Sequence, residues 1–321
     1  MPRTISLRLI FLFNIFRLNF RKFRPQTLYK FSEVKYNDTV NTPNRGVCSQ
    51  EGYMKKKIFA LVLVVALVAS VAVGLAACND DSKIVTVGYT LYPPMNYIEN
   101  NELIGFDTEL AKAVFAELGY EVVFKEINWG QKYVELNSGS VDCLWNGFTA
   151  NGADDGTPRD QLVDFSYKYM INKQCVVVRT DGDYANATFD MLNSATVSGA
   201  FESRSAGEEY VATNMPNCTQ KGATSQMTAL TEVNTRASQF AVVDYLLANS
   251  IVGQGDYSNL KIIDELSSED EQYAIGFRKG DTLRDEVNAV LQKFIEDGTT
   301  LKIAEKYGLQ NALITDYSVL G

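Results

Sequence analysis

The chain has 321 residues, with 30 Lys or Arg, 39 Asp or Glu and no His, and it therefore carries a net charge of −9 at pH 7. Residues 78–321 hold 18 of the basic and 36 of the acidic side chains, so this part carries −18 and repels nucleic acid; no nucleic-acid partner is expected. Without histidine, the Ser-His-Asp and Cys-His catalytic relays and the commonest zinc ligand are excluded, and no metal site is expected.

Residues 1–53 are predicted to be an over-extended gene start rather than part of the protein. At face value they form a basic, aromatic stretch that could lie on an anionic membrane. The peptide Gln50-Glu51-Gly52-Tyr53 directly precedes Met54, and its codons can include a purine-rich ribosome-binding sequence. We therefore expect translation to start at Met54, and detection of any part of residues 1–53 in the expressed protein would contradict this.

A secretory signal peptide is predicted over residues 54–77. Three lysines, a twenty-residue apolar run and a group of small residues follow one another in that order before Cys78. The ending Leu75-Ala76-Ala77-Cys78 resembles the lipobox of bacterial lipoproteins, which implies cleavage before Cys78 and a lipid on its thiol. Residues 78–82 would then tether the protein to the outer face of the membrane. An uncleaved transmembrane anchor is the alternative, since about 20 apolar residues can span a bilayer.

From Lys83 onward, short apolar runs alternate with longer mixed ones, which indicates strands interleaved with helices. The predicted elements are strands at 84–89, 121–124 and 141–145 and helices at 108–118 and 133–136. Two prolines after the first strand predict a stiff loop, and the third strand is expected to end in a turn at 146–149. Cys143, Cys175 and Cys218 permit at most one disulfide within a monomer.

Several short motifs follow one another along residues 83–310. They are Tyr92-Pro93-Pro94, Gly105-Phe106-Asp107 at a helix start, a Gly-x-Thr group at 147–149, Thr157-Pro158-Arg159 shortly before Asp164-Phe165-Ser166, and Gly276-Phe277-Arg278-Lys279-Gly280-Asp281. Each motif alone is a weak signal, but their order and spacing together are a strong one. The sequence resembles the extracellular solute-binding proteins of ATP-driven amino-acid importers, family 3.

The resemblance implies an α/β fold, a two-lobed clamshell of the type II periplasmic-binding-protein kind, whose second lobe is inserted in the first. Lobe 1 is expected at 83–174 plus 276–321, and lobe 2 at 179–271. Two hinge strands would connect the lobes, one at 174–178 and one at 272–277. The ligand would lie in the cleft, at the ends of strands, where open α/β sheets usually bind.

Arg159 is the expected partner of a ligand carboxylate, because a guanidinium can hold both carboxylate oxygens and the family places an arginine here. A solvated loop arginine is the alternative. Gly147 and Thr149 would add backbone and hydroxyl contacts to the same group. Residues 150–156 lengthen the gap before Arg159 relative to the family pattern, so Asp154 or Asp155 could enter the cleft or form a solvated loop.

Asp244 ends an apolar strand and matches the acid that binds the ligand ammonium in the family, although it could instead cap the next helix. Ser205 resembles the hydroxyl at a helix start that supports carboxylate binding. Arg204 is left open between a second anion contact and a solvated side chain.

Aromatic side chains are expected to sandwich the side chain of the ligand. Tyr92 and Trp129 match the family positions that supply flat apolar faces, although core packing is an equal alternative for Trp129. Trp145 lies in mid-strand and is expected to pack in the core.

The predicted function is capture of a free, polar amino acid outside the cell and delivery to an ABC permease and its ATPase, by a lipid-anchored monomer that closes on its ligand. This function needs no chemistry and no cofactor. A dehydratase of prephenate-like acids on the same fold, with Asp or Glu as the general acid, is one alternative. An extracellular amino-acid sensor is another.

Overall fold

The computed structural model describes residues 83–317, and the predictions for the extension, the signal peptide, Cys78 and the tether fall outside this range. The strands are β1 (Lys83–Tyr89), β2 (Tyr97–Glu99), β3 (Glu102–Ile104), β4 (Tyr120–Glu126), β5 (Cys143–Thr149), β6 (Ala153–Asp154), β7 (Thr157–Pro158), β8 (Asp164–Phe165), β9 (Met170–Asn172), β10 (Gln174–Arg179), β11 (Ser198–Glu202), β12 (Thr219–Ala223), β13 (Phe240–Asp244), β14 (Leu260–Ile263) and β15 (Glu271–Phe277). The α-helices are α1 (Phe106–Glu117), α2 (Lys132–Asn137), α3 (Arg159–Leu162), α4 (Phe189–Leu192), α5 (Ala206–Asn214), α6 (Gln226–Asn234), α7 (Tyr245–Ile251), α8 (Leu283–Glu296) and α9 (Thr299–Lys306).

Two separate mixed sheets organise these elements into two lobes. The first sheet has the order β4-β1-β5-β15-β8, with β9 also paired to β15. The second sheet has the order β12-β11-β13-β10-β14. In each sheet, parallel pairs (β1 with β4 and β5, β11 with β12 and β13) are joined to one antiparallel strand. That strand is β15 in the first sheet and β10 in the second. The α/β clamshell expected from the sequence is therefore the observed fold.

The two antiparallel strands are the strands predicted to carry the chain between lobes. Gln174 opens β10 and is paired with Asp244, the last residue of β13. Tyr273, near the start of β15, is paired with Thr149, the last residue of β5. The crossings therefore bring the carboxyl ends of a strand from each sheet to the gap between the sheets. The lobe boundaries themselves stay a prediction.

The central strands form because their sequences are apolar enough to be buried on both faces. Every residue of β5, β11 and β13 is buried, as expected for interior strands covered by helices. Edge strand β4 instead alternates between exposed and half-buried positions. The apolar face of α1 packs onto the first sheet through Leu110, Val114 and Phe115.

The predicted strands and helices are confirmed, with ends that differ by at most two residues except at the third strand, predicted at 141–145, which ends four residues later; the predicted turn at 146–149 is wrong. These residues continue β5 through to Thr149. The pairing register between β15 and β5 shifts at this point, and Gly147 has a φ of +57°. A β-bulge with a glycine in the left-handed region therefore replaces the turn. Cys143, Cys175 and Cys218 are buried and free, and Trp145 is packed in the core as expected.

Candidate functional site

A small cavity lies between the carboxyl ends of strands from the two sheets. The residues that line it are Trp129, Asn146, Gly147, Phe148, Thr149, Arg159, Glu202, Ser205, Ala206, Gln226 and Asp244. The list contains six of the seven residues that the sequence assigned to ligand binding, and Tyr92 is the exception. Because elements of the first lobe supply one wall and elements of the second lobe supply the other, the fold assembles the site from distant parts of the chain.

The enclosed space measures about 20 Å³. A cavity of this size admits about one water molecule, and an amino acid is several times larger. Entry of such a ligand therefore requires the lining side chains or the two sheets to move apart. Since opposite walls belong to different lobes, a hinge motion of the kind used by clamshell proteins would enlarge this space.

Arg159 forms the positively charged wall and is 1% exposed. Its Nε and Nη2 atoms donate to Asp154 Oδ1 at 3.2 and 3.0 Å, and its Nη1 atom donates to the carbonyl oxygen of Thr149 at 3.0 Å. The guanidinium also lies 5.6 Å from the centre of the Phe148 ring. Arg159 is thus a buried, fixed cation rather than a solvated loop side chain.

Asp154 is the carboxylate that balances the positive charge of this wall. Its Oδ2 atom lies 2.8 Å from Lys132 Nζ and accepts a hydrogen bond of 2.6 Å from the Tyr133 hydroxyl. Burial acts to raise the pKa of Asp154, but the charges of Arg159 and Lys132 outweigh it and hold the pKa below its usual value. Burial lowers the pKa of Lys132 to about 8, against the opposing effect of Asp154.

The residues directly before Arg159 form a hairpin of β6 and β7, with Asp155 and Gly156 at its tip. Asp154 faces inward from this hairpin, whereas the Asp155 side chain is 81% exposed and pairs with Arg204 at 3.3 Å. The backbone N–H of Ala153 donates to Glu209 Oε2 of α5 at 3.1 Å. Of the two aspartates left open by the sequence, Asp154 is therefore buried against Arg159 without lining the cavity, and Asp155 lies on the surface.

Asp244 forms part of the opposite wall at the end of β13. Its carboxylate accepts hydrogen bonds from Asn172 Nδ2 at 2.8 Å, from Gln174 Nε2 at 2.5 Å and from Gln226 Nε2. It makes no side-chain cap to α7. The first-turn N–H of Leu246 donates to Asn172 Oδ1 instead, so the capping alternative for Asp244 is not what the structure shows.

A second carboxylate, Glu271, shares the amides that hold Asp244. Asn172 Nδ2 and Gln174 Nε2 each donate to Glu271 Oε1 as well as to Asp244. Burial, followed by the charge of Asp244, raises the pKa of Glu271, and burial raises the pKa of Asp244 against the effect of its amide donors. Neutral amides, rather than cations, therefore balance the negative wall.

Glu202 lines the cavity from the end of β11, and the sequence did not assign it to the site. It is 3% exposed, and its Oε1 atom has no hydrogen-bond partner in the part of the chain that the structure describes. Burial, followed by the charge of Asp244, raises its pKa to about 8. A signal was present in the sequence, because Glu202 ends an apolar strand in the same way as Asp244.

The structure places Tyr92 behind the cavity wall rather than on it. The Tyr92 and Tyr273 hydroxyls lie 2.7 Å apart, and their rings meet edge to face. Trp129 does line the cavity, but its ring packs edge-on against Phe148 at 5.0 Å. Tyr92 is therefore not among the residues that line this cavity, and its contact with a ligand stays a prediction.

Gly147, Thr149 and Ser205 each have a partner already. The Gly147 N–H donates to Asp107 Oδ2 at 2.8 Å, and that buried acid has its pKa raised by burial to about 7. The Thr149 carbonyl accepts from Arg159, as above. Ser205 caps α5 by accepting from the N–H groups of Gly207 and Glu208. These contacts fix the walls before any ligand arrives.

The sequence matches the model of the bacterial extracellular solute-binding proteins, family 3, over residues 85–310. It is 29% identical over 275 residues to the L-cystine-binding protein TcyA of Bacillus subtilis (strain 168), covering 79% of this chain and 97% of that protein. It is 25% identical over 260 residues to the arginine-binding extracellular protein ArtP of the same organism, covering 79% of this chain and 98% of ArtP.

A similar fold occurs in the crystal structure of the ancestral amino-acid-binding protein AncCDT-1, a precursor of cyclohexadienyl dehydratase. The TM-score is 0.62 at 28% sequence identity, over 70% of this chain and 95% of that one. Within residues 83–317, no helix is long and apolar enough to cross a membrane, and no group of three or more acidic or cysteine side chains is arranged to hold a metal ion.

Proposed function

The chain belongs to the bacterial extracellular solute-binding proteins of family 3, and from this premise we propose that it captures a free amino acid and delivers it to an ABC permease and ATPase. Its similarity to TcyA and ArtP, two proteins named for binding amino acids, supports this proposal. The lipid on Cys78, the monomeric state and the outer-face location belong to the same proposal. No bond is made or broken in this function.

One observation carries the proposal: opposite charges line opposite walls of one cavity, Arg159 in the first lobe and Asp244 in the second. A free amino acid carries a carboxylate and an ammonium group, so it can contact both walls only when they are close together. Such a ligand stabilises the closed arrangement because it has more contacts there than in an open one.

Arg159 keeps the donors that a ligand carboxylate needs. A guanidinium has five N–H donors, and three of its nitrogen atoms donate to Asp154 and Thr149 as described. One N–H remains on each terminal nitrogen, and such a pair can hold both oxygens of a carboxylate. Asp154 thus fixes the plane of the guanidinium, and the remaining edge binds the ligand.

The proposal is tested by thermal-shift measurements on the purified protein with each of the twenty amino acids and cystine. We expect one amino acid or a small group of them to raise the melting temperature. The Arg159→Ala variant should then bind the best amino acid roughly 30-fold or more weakly, since a charged hydrogen bond is lost. Arg236→Ala is the control, because its side chain is 59% exposed and pairs only on the surface.

Two results would overturn the proposal: no amino acid binds the wild type, or Arg159→Ala binds as tightly as the wild type. Delivery is tested separately, by uptake of the labelled amino acid in cells with and without the gene. Unchanged uptake in a strain lacking the gene would contradict the transport part of the proposal.

A dehydratase is the second candidate, and Glu202 is the observation that favours it. With no ligand cation beside it, a buried carboxyl group with a pKa raised to about 8 holds a proton at neutral pH, which a general acid must do. A cation next to the group would lower this pKa and leave the carboxylate ionised. The fold is also shared with a protein described as a dehydratase precursor. Incubation with prephenate, followed by the absorbance of phenylpyruvate, distinguishes the two: turnover that is lost in Glu202→Gln would establish the enzyme.

A further inference from the structure

We propose that Glu202 is a ligand-binding residue, and that the site is built for an amino acid whose side chain carries a positive charge. This inference rests on the proposed function and specifies its substrate class. In this arrangement Asp244 binds the α-ammonium group, Arg159 binds the carboxylate, and Glu202 binds the cation on the ligand side chain.

The first observation is the position of Glu202. It lines the cavity, is 3% exposed, and holds a carboxylate oxygen, Oε1, that has no donor among residues 83–317. A buried acceptor without a donor costs about 1–3 kcal/mol, and more when it is charged. A ligand cation would supply that donor, whereas a neutral apolar side chain would leave the oxygen unpaired.

The second observation is the charge balance around the cavity. Arg159 is the cation among the lining residues, and Asp154 already compensates it. Asp244 and Glu202 are both acidic and line the same cavity, and Glu271 shares the amides of Asn172 and Gln174 with Asp244. A ligand that is neutral overall supplies one cation for two lining acids. A dibasic amino acid supplies two cations, so it matches the negative wall.

Lys132 does not supply the second cation, because its ammonium group already has other partners. Its ammonium donates to Asp154 Oδ2 and to the carbonyl oxygen of Arg204, at 2.8 Å in each case. Lys132 lies against the rings of Trp129, Tyr133 and Phe148. Its contacts therefore support the positive wall and the contact between lobes, and Glu202 Oε1 is left for the ligand.

The test compares ligands of the same shape with and without the side-chain cation, by isothermal titration calorimetry. Arginine is paired with citrulline, and lysine with norleucine. We expect the wild type to bind at least one cationic member roughly 30-fold tighter than its neutral partner, which is the ratio that a charged hydrogen bond supports. In Glu202→Gln this ratio should fall to a few-fold, mainly through weaker binding of the cationic ligand.

Glu265→Gln is the matched control, because it removes one exposed acid from the second lobe without touching the cavity. It should keep the wild-type ratio. The inference is overturned if the wild type binds the neutral members as tightly as the cationic ones, or if Glu202→Gln keeps the wild-type ratio. The first result does not need the variant to fold. If some other amino acid binds tightly, the proposed function survives and this inference fails; if none binds, both fail.

Discussion

The two walls of the cavity balance their charges in different ways. On the first-lobe wall, the buried cations Arg159 and Lys132 share one carboxylate, Asp154, from the same lobe. On the second-lobe wall, Asp244 is held by neutral amides and Glu202 keeps an unpaired oxygen. The charges of the first wall are therefore balanced within their own lobe. The acids of the second wall are left to be balanced by a cation from a ligand.

This difference indicates what each wall contributes to binding. A cation that is already paired binds a ligand carboxylate mainly by its fixed direction, because most of its charge is compensated within the lobe. A buried acid balanced only by amides has a raised pKa, and a ligand cation that pairs with it lowers this pKa and favours the ionised carboxylate. We therefore expect the acidic wall to decide which amino acid is preferred.

The largest effect should come from removing the carboxylate that completes the first wall. Asp154→Ala leaves Arg159 and Lys132 buried without their common partner, and breaking a buried ion pair costs about 3–5 kcal/mol. Urea denaturation should show a fall in the free energy of unfolding of that order. Asp155→Ala is the control, because its pair with Arg204 is on the surface and worth about 0–1 kcal/mol. Equal losses of unfolding free energy in the two variants would contradict the claim that Asp154 balances the buried charges of Arg159 and Lys132.

A smaller effect should come from the backbone of the same wall. Gly147 has a φ of +57°, and a Cβ there would lie 2.6 Å from Tyr92 Cε1. Gly147→Ala should therefore lower the free energy of unfolding by roughly 2 kcal/mol or more, through strain and the clash together. Gly156→Ala in the hairpin also has a positive φ but meets no atom within 4 Å. The difference between the two melting temperatures isolates the clash, and no difference would show that Tyr92 yields easily.

The smallest effect concerns how the acidic wall responds to pH. The pKa of Glu202 is raised from 4.5 to about 8 in the folded protein, by burial and by Asp244, against the opposing charge of Lys132. Between these two values the folded state binds more protons than the unfolded state, so stability is fully present below pH 4.5 and falls as pH rises towards 8. Between pH 6 and pH 7, the free energy of unfolding should therefore fall by about 1 kcal/mol less in Glu202→Gln than in the wild type.

Unfolding free energies of the wild type and Glu202→Gln across pH 5 to 8 check this prediction. Glu271, whose pKa is raised by burial and by Asp244, contributes in the same direction in both proteins. The wild type should therefore lose stability more steeply than the variant. Parallel profiles would mean that Glu202 titrates alike in the folded and unfolded states.

The fold was predictable because its signals are local and repeated. The apolar runs at 84–89, 174–178 and 272–277 are long enough to indicate strands, and the structure confirms them. The bulge at Gly147 was not predictable in this way, since it depends on the register between β5 and β15. The order of the motifs was sufficient to identify the family. The local pattern at 146–149 predicted a turn, whereas the structure has a bulged strand.

The site was predictable at positions where only one type of charged side chain suits the expected ligand group. Arg159 and Asp244 lie on facing walls as the resemblance implied, although their contact with a ligand stays a prediction. The pairing of Asp154 with Arg159 depends on the direction of the hairpin formed by β6 and β7. The hydroxyl contact of Tyr92 depends on Tyr273, which lies 181 positions away in the chain. Contacts of this kind arise from tertiary packing, and the spacing of residues along the sequence does not indicate them.

The hairpin before Arg159 has a consequence for the rate at which a bound molecule leaves. Ala153 and Asp155 contact Glu209 and Arg204 of the other lobe. These contacts must break before the lobes can separate fully. We therefore expect the hairpin to add to the barrier for opening, and so to lengthen the residence time of the proposed ligand without touching it.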